Sequence, residues 1–208
     1  MLAALSPLAV LYSGQMSVAT VLILTSLLLL PAMLAGPLAY IPNYDDDTVS
    51  LISRAYIVNY VGSSVFSGSI SIIDTVSATV IAPPILVGRN PYGVAVSPNS
   101  ARVYVSNGMD GTVSVIDVAS STVVSTIPVG QRPRGLVVSP DGSKLYVANS
   151  TSGTVSVINT SSNVVARTIS VGALAYGVAL TSDGRTLFVA NRGSDTVSVV
   201  NTESESVT

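Results

Sequence analysis

The 208-residue chain carries 9 basic and 11 acidic side chains, a formal charge of -2, and no His, Cys or Trp. These absences exclude His/Cys zinc sites, haem ligation through His or Cys, disulfides, Ser-His-Asp triads and Cys nucleophiles. The charge balance argues against nucleic acid as a partner, since such binders carry a basic excess.

The chain opens on a charge-free leader, with no charged side chain before Asp45. Val18 to Leu30 is a run of 13 residues interrupted only by hydroxyl side chains, and Pro31, Gly36 and Pro37 follow it. A signal h-region takes about 7–15 apolar residues and a spanning helix about 20. Residues 1–38 are therefore expected to form an N-terminal hydrophobic helix, either a signal peptide or an uncleaved membrane anchor seated through residues 18–38. Either form exports the protein to the cell surface, the periplasm or the medium. Cleaved and anchored forms both stay open, because no Lys or Arg precedes the run and neither Ala35 nor Ala39 has a small residue two positions before it.

From residue 39 the composition turns to Val, Ser, Thr, Gly and Asn, and a repeat begins. Tyr104-Val105-Ser106-Asn107, Tyr146-Val147-Ala148-Asn149 and Phe188-Val189-Ala190-Asn191 recur every 42 residues. Each is followed by a Thr-Val-Ser-Val motif, at Thr112 to Asp117, Thr154 to Asn159 and Thr196 to Asn201. Each is preceded by a Gly-led apolar run, at Gly93 to Pro98, Gly135 to Pro140 and Gly177 to Ser182. A more variable run lies between units, as at Thr122 to Val129 and Val164 to Val171. Short β-branched runs bounded by turn residues are strands, and alternating Thr-Val-Ser-Val-Ile gives one covered face. Asp141-Gly142 and Asp183-Gly184 supply the positive φ that tight hairpins need. In order, the four runs are strands a, b, c and d of a four-stranded antiparallel meander. Repetition every 40–45 residues or so indicates a mainly β fold, a β-propeller.

Tyr-Val-x-Asn, Thr-Val-Ser-Val-Ile-Asp/Asn, Val-Gly-x-x-Pro-x-Gly-Val and Ser-Pro-Asp-Gly together resemble the YVTN-type β-propeller repeats of bacterial and archaeal surface-layer and secreted proteins. The resemblance covers roughly residues 39–208. It implies the fold and an extracytoplasmic setting. It implies no one activity, because propellers host many.

Upstream the register breaks. Tyr56-Ile57-Val58-Asn59 and Ser69 to Asp74 form a b–c pair lying 48 residues before its successor, so this unit carries six extra residues, expected between Tyr60 and Ser67. Tyr40 to Asn43 and Thr48 to Ile52 form another b–c pair with one d and one a strand missing after it. Four blades' worth of strands, not all complete, predicts a partial or open propeller: a truncated product, a fragment, or one part of an assembly that completes its ring with partner copies. The competing reading is a closed four-blade ring. Gly135 and Gly177 start the crowded a strands, so Val at either is expected to destabilise the fold.

In such a meander the b–c and d–a loops emerge together. They carry Arg89, Tyr92, Arg132, Arg134, Tyr176 and Arg192, the candidate ligand-binding residues. Arginine forks bind carboxylate or phosphate, so an anionic ligand, on a cell-surface glycan or a protein's acidic patch, is the expected partner. The repeated Asn after each Tyr-Val pair is read as structural. Asp45, Asp46 and Asp47 are adjacent rather than spaced as calcium ligands are, so no metal site is assigned. No catalytic residues and no cofactor are assigned either. The expected function is a non-enzymatic extracytoplasmic structural or interaction module. The alternatives are a fragment of a lactonase- or dehydrogenase-like propeller enzyme, and a nucleic-acid-binding propeller stacking bases on Tyr92 or Tyr176.

Overall fold

The computed structural model describes residues 54–59, 67–75 and 77–208. The leader, the strand pair between Tyr40 and Ile52 and the three aspartates lie outside the described residues. Among those described, no helix is long and apolar enough to cross a membrane.

Four antiparallel sheets follow one another along the chain. Sheet I holds β1 (Ala55–Asn59), β2 (Ser67–Asp74), β3 (Thr79–Val80) and β4 (Ile85–Arg89). Sheet II is the meander β5 (Pro91–Val96), β6 (Arg102–Asn107), β7 (Thr112–Asp117) and β8 (Thr122–Pro128). Sheet III repeats it as β9 (Pro133–Val138), β10 (Lys144–Asn149), β11 (Thr154–Asn159) and β12 (Val164–Ser170). Sheet IV repeats it again as β13 (Ala175–Leu180), β14 (Thr186–Asn191), β15 (Thr196–Asn201) and β16 (Ser206–Val207). This is the four-stranded blade architecture that the 42-residue period predicts.

The a strands start earlier than their glycines suggest, at Pro91, Pro133 and Ala175. They also stop before the Ser-Pro pairs. The Ser97 N–H donates to the Arg102 carbonyl, and Ser139 and Thr181 do the same to Lys144 and Thr186. Those residues therefore close the a–b hairpin, with Gly142 and Gly184 at φ +75° and +73° at its tip.

The six extra residues of the first unit fall in two places. Asn59 pairs with Ser69, whereas Asn107 pairs with Thr112, so five of them lie within the b–c connection. The sixth lies in strand d, which splits into β3 and β4 around Ala82-Pro83-Pro84. Two prolines in a row donate no N–H to β2, so the ladder breaks there.

The core is the set of layers between consecutive sheets. Tyr56, Ile70 and Ile72 of sheet I pack against Val103, Val105 and Ile116 of sheet II. Tyr104, Val113 and Val115 pack against Leu145, Val147 and Ile158. Tyr146, Ala148, Val155 and Val157 pack against Leu187, Val189 and Val200. Sheets II and III thus present a Tyr/Val face forward and a Leu/Val/Ile face backward, which is why their b and c strands alternate and yet are buried on both sides. Beyond sheet IV this layering stops among the described residues. Phe188 is 40% and Val197 61% exposed, where their equivalents Tyr146 and Val155 are 1% and 0%. The described sheets form an open arc.

The expectation for Gly177 is corrected by that opening. A Cβ on Gly135 would sit 2.7 Å from the Tyr176 carbonyl oxygen, because β13 passes beside β9. A Cβ on Gly177 would meet nothing within 4 Å, because no inner strand follows β13 among the described residues. Crowding at these glycines comes from the next blade, not from the strand itself.

Candidate functional site

The inner strands β5, β9 and β13 lie side by side. Each carries a bulge near its first residues, where Pro91 pairs with Asn107 but Val94 with Val105, and likewise in β9 and β13. A bulge bends the strand and re-aims a side chain. The residues inside these bulges are Tyr92, Arg134 and Tyr176, one per blade, each just before a glycine. They are strand residues rather than loop residues.

Beside them the loops are zipped in pairs. Gly108 N–H donates to the Asn90 carbonyl, Ser150 N–H to Arg132, and Arg192 N–H to Leu174. The d–a and b–c connections therefore share one end of the arc, where they are hydrogen-bonded to each other. Asn90, Arg132 and Leu174 occupy the same place in this turn, at φ +54°, +50° and +49°. Arg132 and Leu174 lack the local hydrogen-bonding advantage that Asn has in that region, so tertiary contacts enforce the conformation.

The structure brings four of the six candidate residues together. The phenol oxygens of Tyr92 and Tyr176, two blades apart, are hydrogen-bonded to each other. Their rings meet edge to face with centroids 5.4 Å apart at 74°. Arg134, from the blade between them, lays its guanidinium carbon 4.3 Å from the Tyr92 ring centre and 5.8 Å from that of Tyr176. Arg192 stands 5.8 Å from the Tyr176 ring centre. Aromatic faces attract such cations by about 0.5–2 kcal/mol each, most where water is excluded.

The electrostatics of this cluster are one-sided. Nε and Nη1 of Arg134 are shut off from solvent without a hydrogen-bond partner among the described residues. The ion pairs described are Arg89–Asp110, Arg102–Asp117, Lys144–Glu205 and Arg167–Glu205, and none includes Arg134 or Arg192. Guanidinium nitrogens shut off from water without an acceptor are costly unless something supplies acceptor oxygens. An oxyanion would complete the cluster.

The other two candidates stay apart from it. Arg89 is held by Asp110, with Nε 2.5 Å from Oδ1 and its backbone N–H 2.7 Å from Oδ2. Arg132 is an exposed turn residue, its backbone carbonyl accepting from the Ser150 N–H. What the motifs did not disclose is the Tyr92–Tyr176 contact. A signal was present: Pro91-Tyr92-Gly93, Pro133-Arg134-Gly135 and Ala175-Tyr176-Gly177 align at one repeat position, so these side chains had to be neighbours on one rim.

At the opposite end a groove of about 290 Å³ runs between sheets III and IV, past Asp141, Lys144 and Tyr146. Its charges are already satisfied. Asp141 accepts from Ser139 and Ser143, and Lys144 donates to Glu205 at 2.8 Å. Among the described residues no three His, Cys, Asp or Glu side chains converge as metal ligands.

Comparison with known proteins accords with the fold. The family described as YNCE-like beta-propeller matches residues 78–183. A hydrazine synthase structure from Kuenenia stuttgartiensis aligns at TM-score 0.65 and 26% identity, over 81% of this chain and 51% of that one. A protein of unknown function from Desulfotomaculum acetoxidans aligns at TM-score 0.64 and 20% identity, over 75% of this chain and 51% of that one. The chain thus spans about half the length of these structures. No curated protein matches it.

Proposed function

The chain belongs to the YNCE-like β-propeller family, and from that premise we propose that it is a non-enzymatic, extracytoplasmic interaction module. Its rim holds an anionic group of a partner, on a cell-surface glycan or on the acidic patch of a protein. One observation carries this reading: the Arg134 guanidinium is clasped by Tyr92 and Tyr176, and its Nε and Nη1 have no acceptor among the described residues. The charge-free leader supports export and, if retained, anchoring in the membrane. The lack of His and Cys in the sequence supports binding rather than catalysis.

Titration of the full chain with polygalacturonate, and separately with poly-glutamate, tests this reading. Tighter binding of the polyuronate marks a glycan partner, and tighter binding of the peptide a protein partner. Arg134→Ala should weaken the productive one at least tenfold, since a charge-assisted contact is worth about 1.5–3 kcal/mol. Equal binding by Arg134→Ala, or no binding of either polymer, overturns the reading. Protease accessibility on intact cells tests the location.

The hydrazine synthase among the structural neighbours favours a second reading, in which the chain is the propeller portion of a larger enzyme with its chemistry elsewhere. An intact mass from the native source well above 21.2 kDa would support that alternative.

A further inference from the structure

We propose that Asn159, at the turn between β11 and β12, is the acceptor of an N-linked glycan. Two Asn-x-Ser/Thr sequences occur in the chain, Asn149-Ser150-Thr151 and Asn159-Thr160-Ser161. Such a sequence can accept a glycan only where its amide reaches the surface. Folding separates the two. Asn149 is 0% exposed and both ends of its amide are engaged, the oxygen with the Gly130 N–H and the nitrogen with Thr154 and Ser156. Asn159 and Ser161 are exposed. Only the oxygen of the Asn159 amide is engaged, and Nδ2 has no acceptor among the described residues.

The turn also prepares that amide for transfer. Oδ1 of Asn159 accepts from the Ser161 hydroxyl at 2.7 Å, the Ser161 N–H at 3.0 Å and the Ser162 N–H at 3.1 Å. As Nδ2 gives up a proton, negative charge spreads onto Oδ1, where these donors stabilise it. The equivalent turns lack one part or the other. Asn201 of sheet IV accepts the Glu203 and Ser204 N–H groups, but Glu203 brings no hydroxyl. Asp117 of sheet II has no amide nitrogen. Thr160 fixes the turn, donating its hydroxyl to the Gly142 carbonyl at 2.6 Å and its N–H to that of Ser143 at 3.1 Å. In the transfer, Nδ2 bonds to the anomeric carbon of an oligosaccharide held on a lipid phosphate. The bond from that carbon to the phosphate oxygen breaks, the electron pair leaves with the lipid phosphate, and a base of the transferase takes the Nδ2 proton. The proposal rests on the export reading, since transfer takes place across the membrane from the cytoplasm. The turn lies at the end of the arc away from Tyr92 and Arg134, so a glycan there leaves the rim open.

Peptide mapping of the full chain from its native source tests this. Trypsin releases residues 145–167 as one peptide, since Lys144 and Arg167 bound it and no Lys or Arg lies between. Both Asn-x-Ser/Thr sequences are on that peptide, and electron-transfer fragmentation assigns an added sugar mass to one residue. The sugar should sit on Asn159 and be absent from Asn149. Made in the same host, Ser161→Ala should lose it completely and Ser161→Thr should keep it, with thermal melts establishing that both variants fold. A peptide without sugar, sugar on Asn149 or only on Ser or Thr, or sugar retained in Ser161→Ala would each overturn the proposal. Protease treatment of intact cells separates this failure from that of the export reading. An unmodified protein that the protease reaches removes the glycan site and leaves export standing, whereas an unmodified protein that it does not reach removes both.

Discussion

The side-chain oxygen of Asn149 accepts the backbone N–H of Gly130 at 3.1 Å, and this one contact ties a blade to the connection entering it. The same side chain donates to Thr154 and Ser156 on the neighbouring strand. Asn107 repeats the arrangement with Gly88, Thr112 and Ser114. The Asn of the Tyr-Val-x-Asn motif is thus structural, but it works as a clamp across the sheet and not as a local turn former. Its glycine partner is obligatory, since a Cβ on Gly130 would lie 2.6 Å from the Asn149 side chain.

Asn149→Ala should therefore lower stability by about 1–3 kcal/mol, because it strands the Gly130 N–H and two hydroxyls in the interior. Gly130→Ala should cost about the same by overpacking. The double variant should cost less than both together, since both changes disturb the same Gly130–Asn149 hydrogen bond and loss of the amide relieves part of the clash, the Cβ of residue 149 at 2.7 Å remaining. Urea denaturation of the three proteins measures this, and strict additivity would count against the clamp.

Gly135 and Gly177 occupy the same repeat position and should respond differently. Alanine at Gly135 drives its methyl into the Tyr176 carbonyl and should cost about 1–3 kcal/mol. Alanine at Gly177 meets open space and should be neutral or stabilising by about 0.4–1 kcal/mol, through the lower entropy of the unfolded chain. Paired thermal melts separate the two outcomes.

Arg134 should trade stability against binding. Arg134→Met keeps the packing of the stem against the tyrosines while removing a half-buried charge two of whose nitrogens lack an acceptor among the described residues. Its melting temperature should equal or exceed that of the parent, while binding of the anionic polymer is lost. A large drop in melting temperature would show that the cluster is held together by the charge itself.

Acid should weaken the fold through the turn aspartates. Hydroxyls of Ser139 and Ser143, with the Ser143 N–H, hold the Asp141 carboxyl down at about 2 from 3.8. Ser120 lowers Asp117, through its N–H and hydroxyl, and the Thr181 hydroxyl lowers Asp183. A carboxyl lowered by folding stabilises above its unfolded value, and that gain is lost as pH falls through its folded value. Stability should thus be level at neutral pH and decline from about pH 4 toward about pH 2. Asp141→Asn should flatten part of that decline in a melt-versus-pH series.

The strands and their antiparallel order were legible from sequence because each local signal agreed with the others. The 42-residue period, the β-branched alternation and the Asp-Gly turns each specify a meander, and none depends on distant partners. Strand limits around Gly93 and Pro98 were less legible, because a bulge and a hydroxyl-capped hairpin shift them by two residues. Tertiary structure alone decided which positions are crowded and which arginines are free. Gly135 and Gly177 read alike in sequence, and only the presence or absence of a following inner strand separates them. Arg89 and Arg134 likewise read alike, until folding sets an aspartate against one and two tyrosines against the other. Local periodicity encodes the blade because its hydrogen bonds span few residues. The rim is assembled from side chains 42 and 84 residues apart, whose meeting depends on how each blade is rotated against the next.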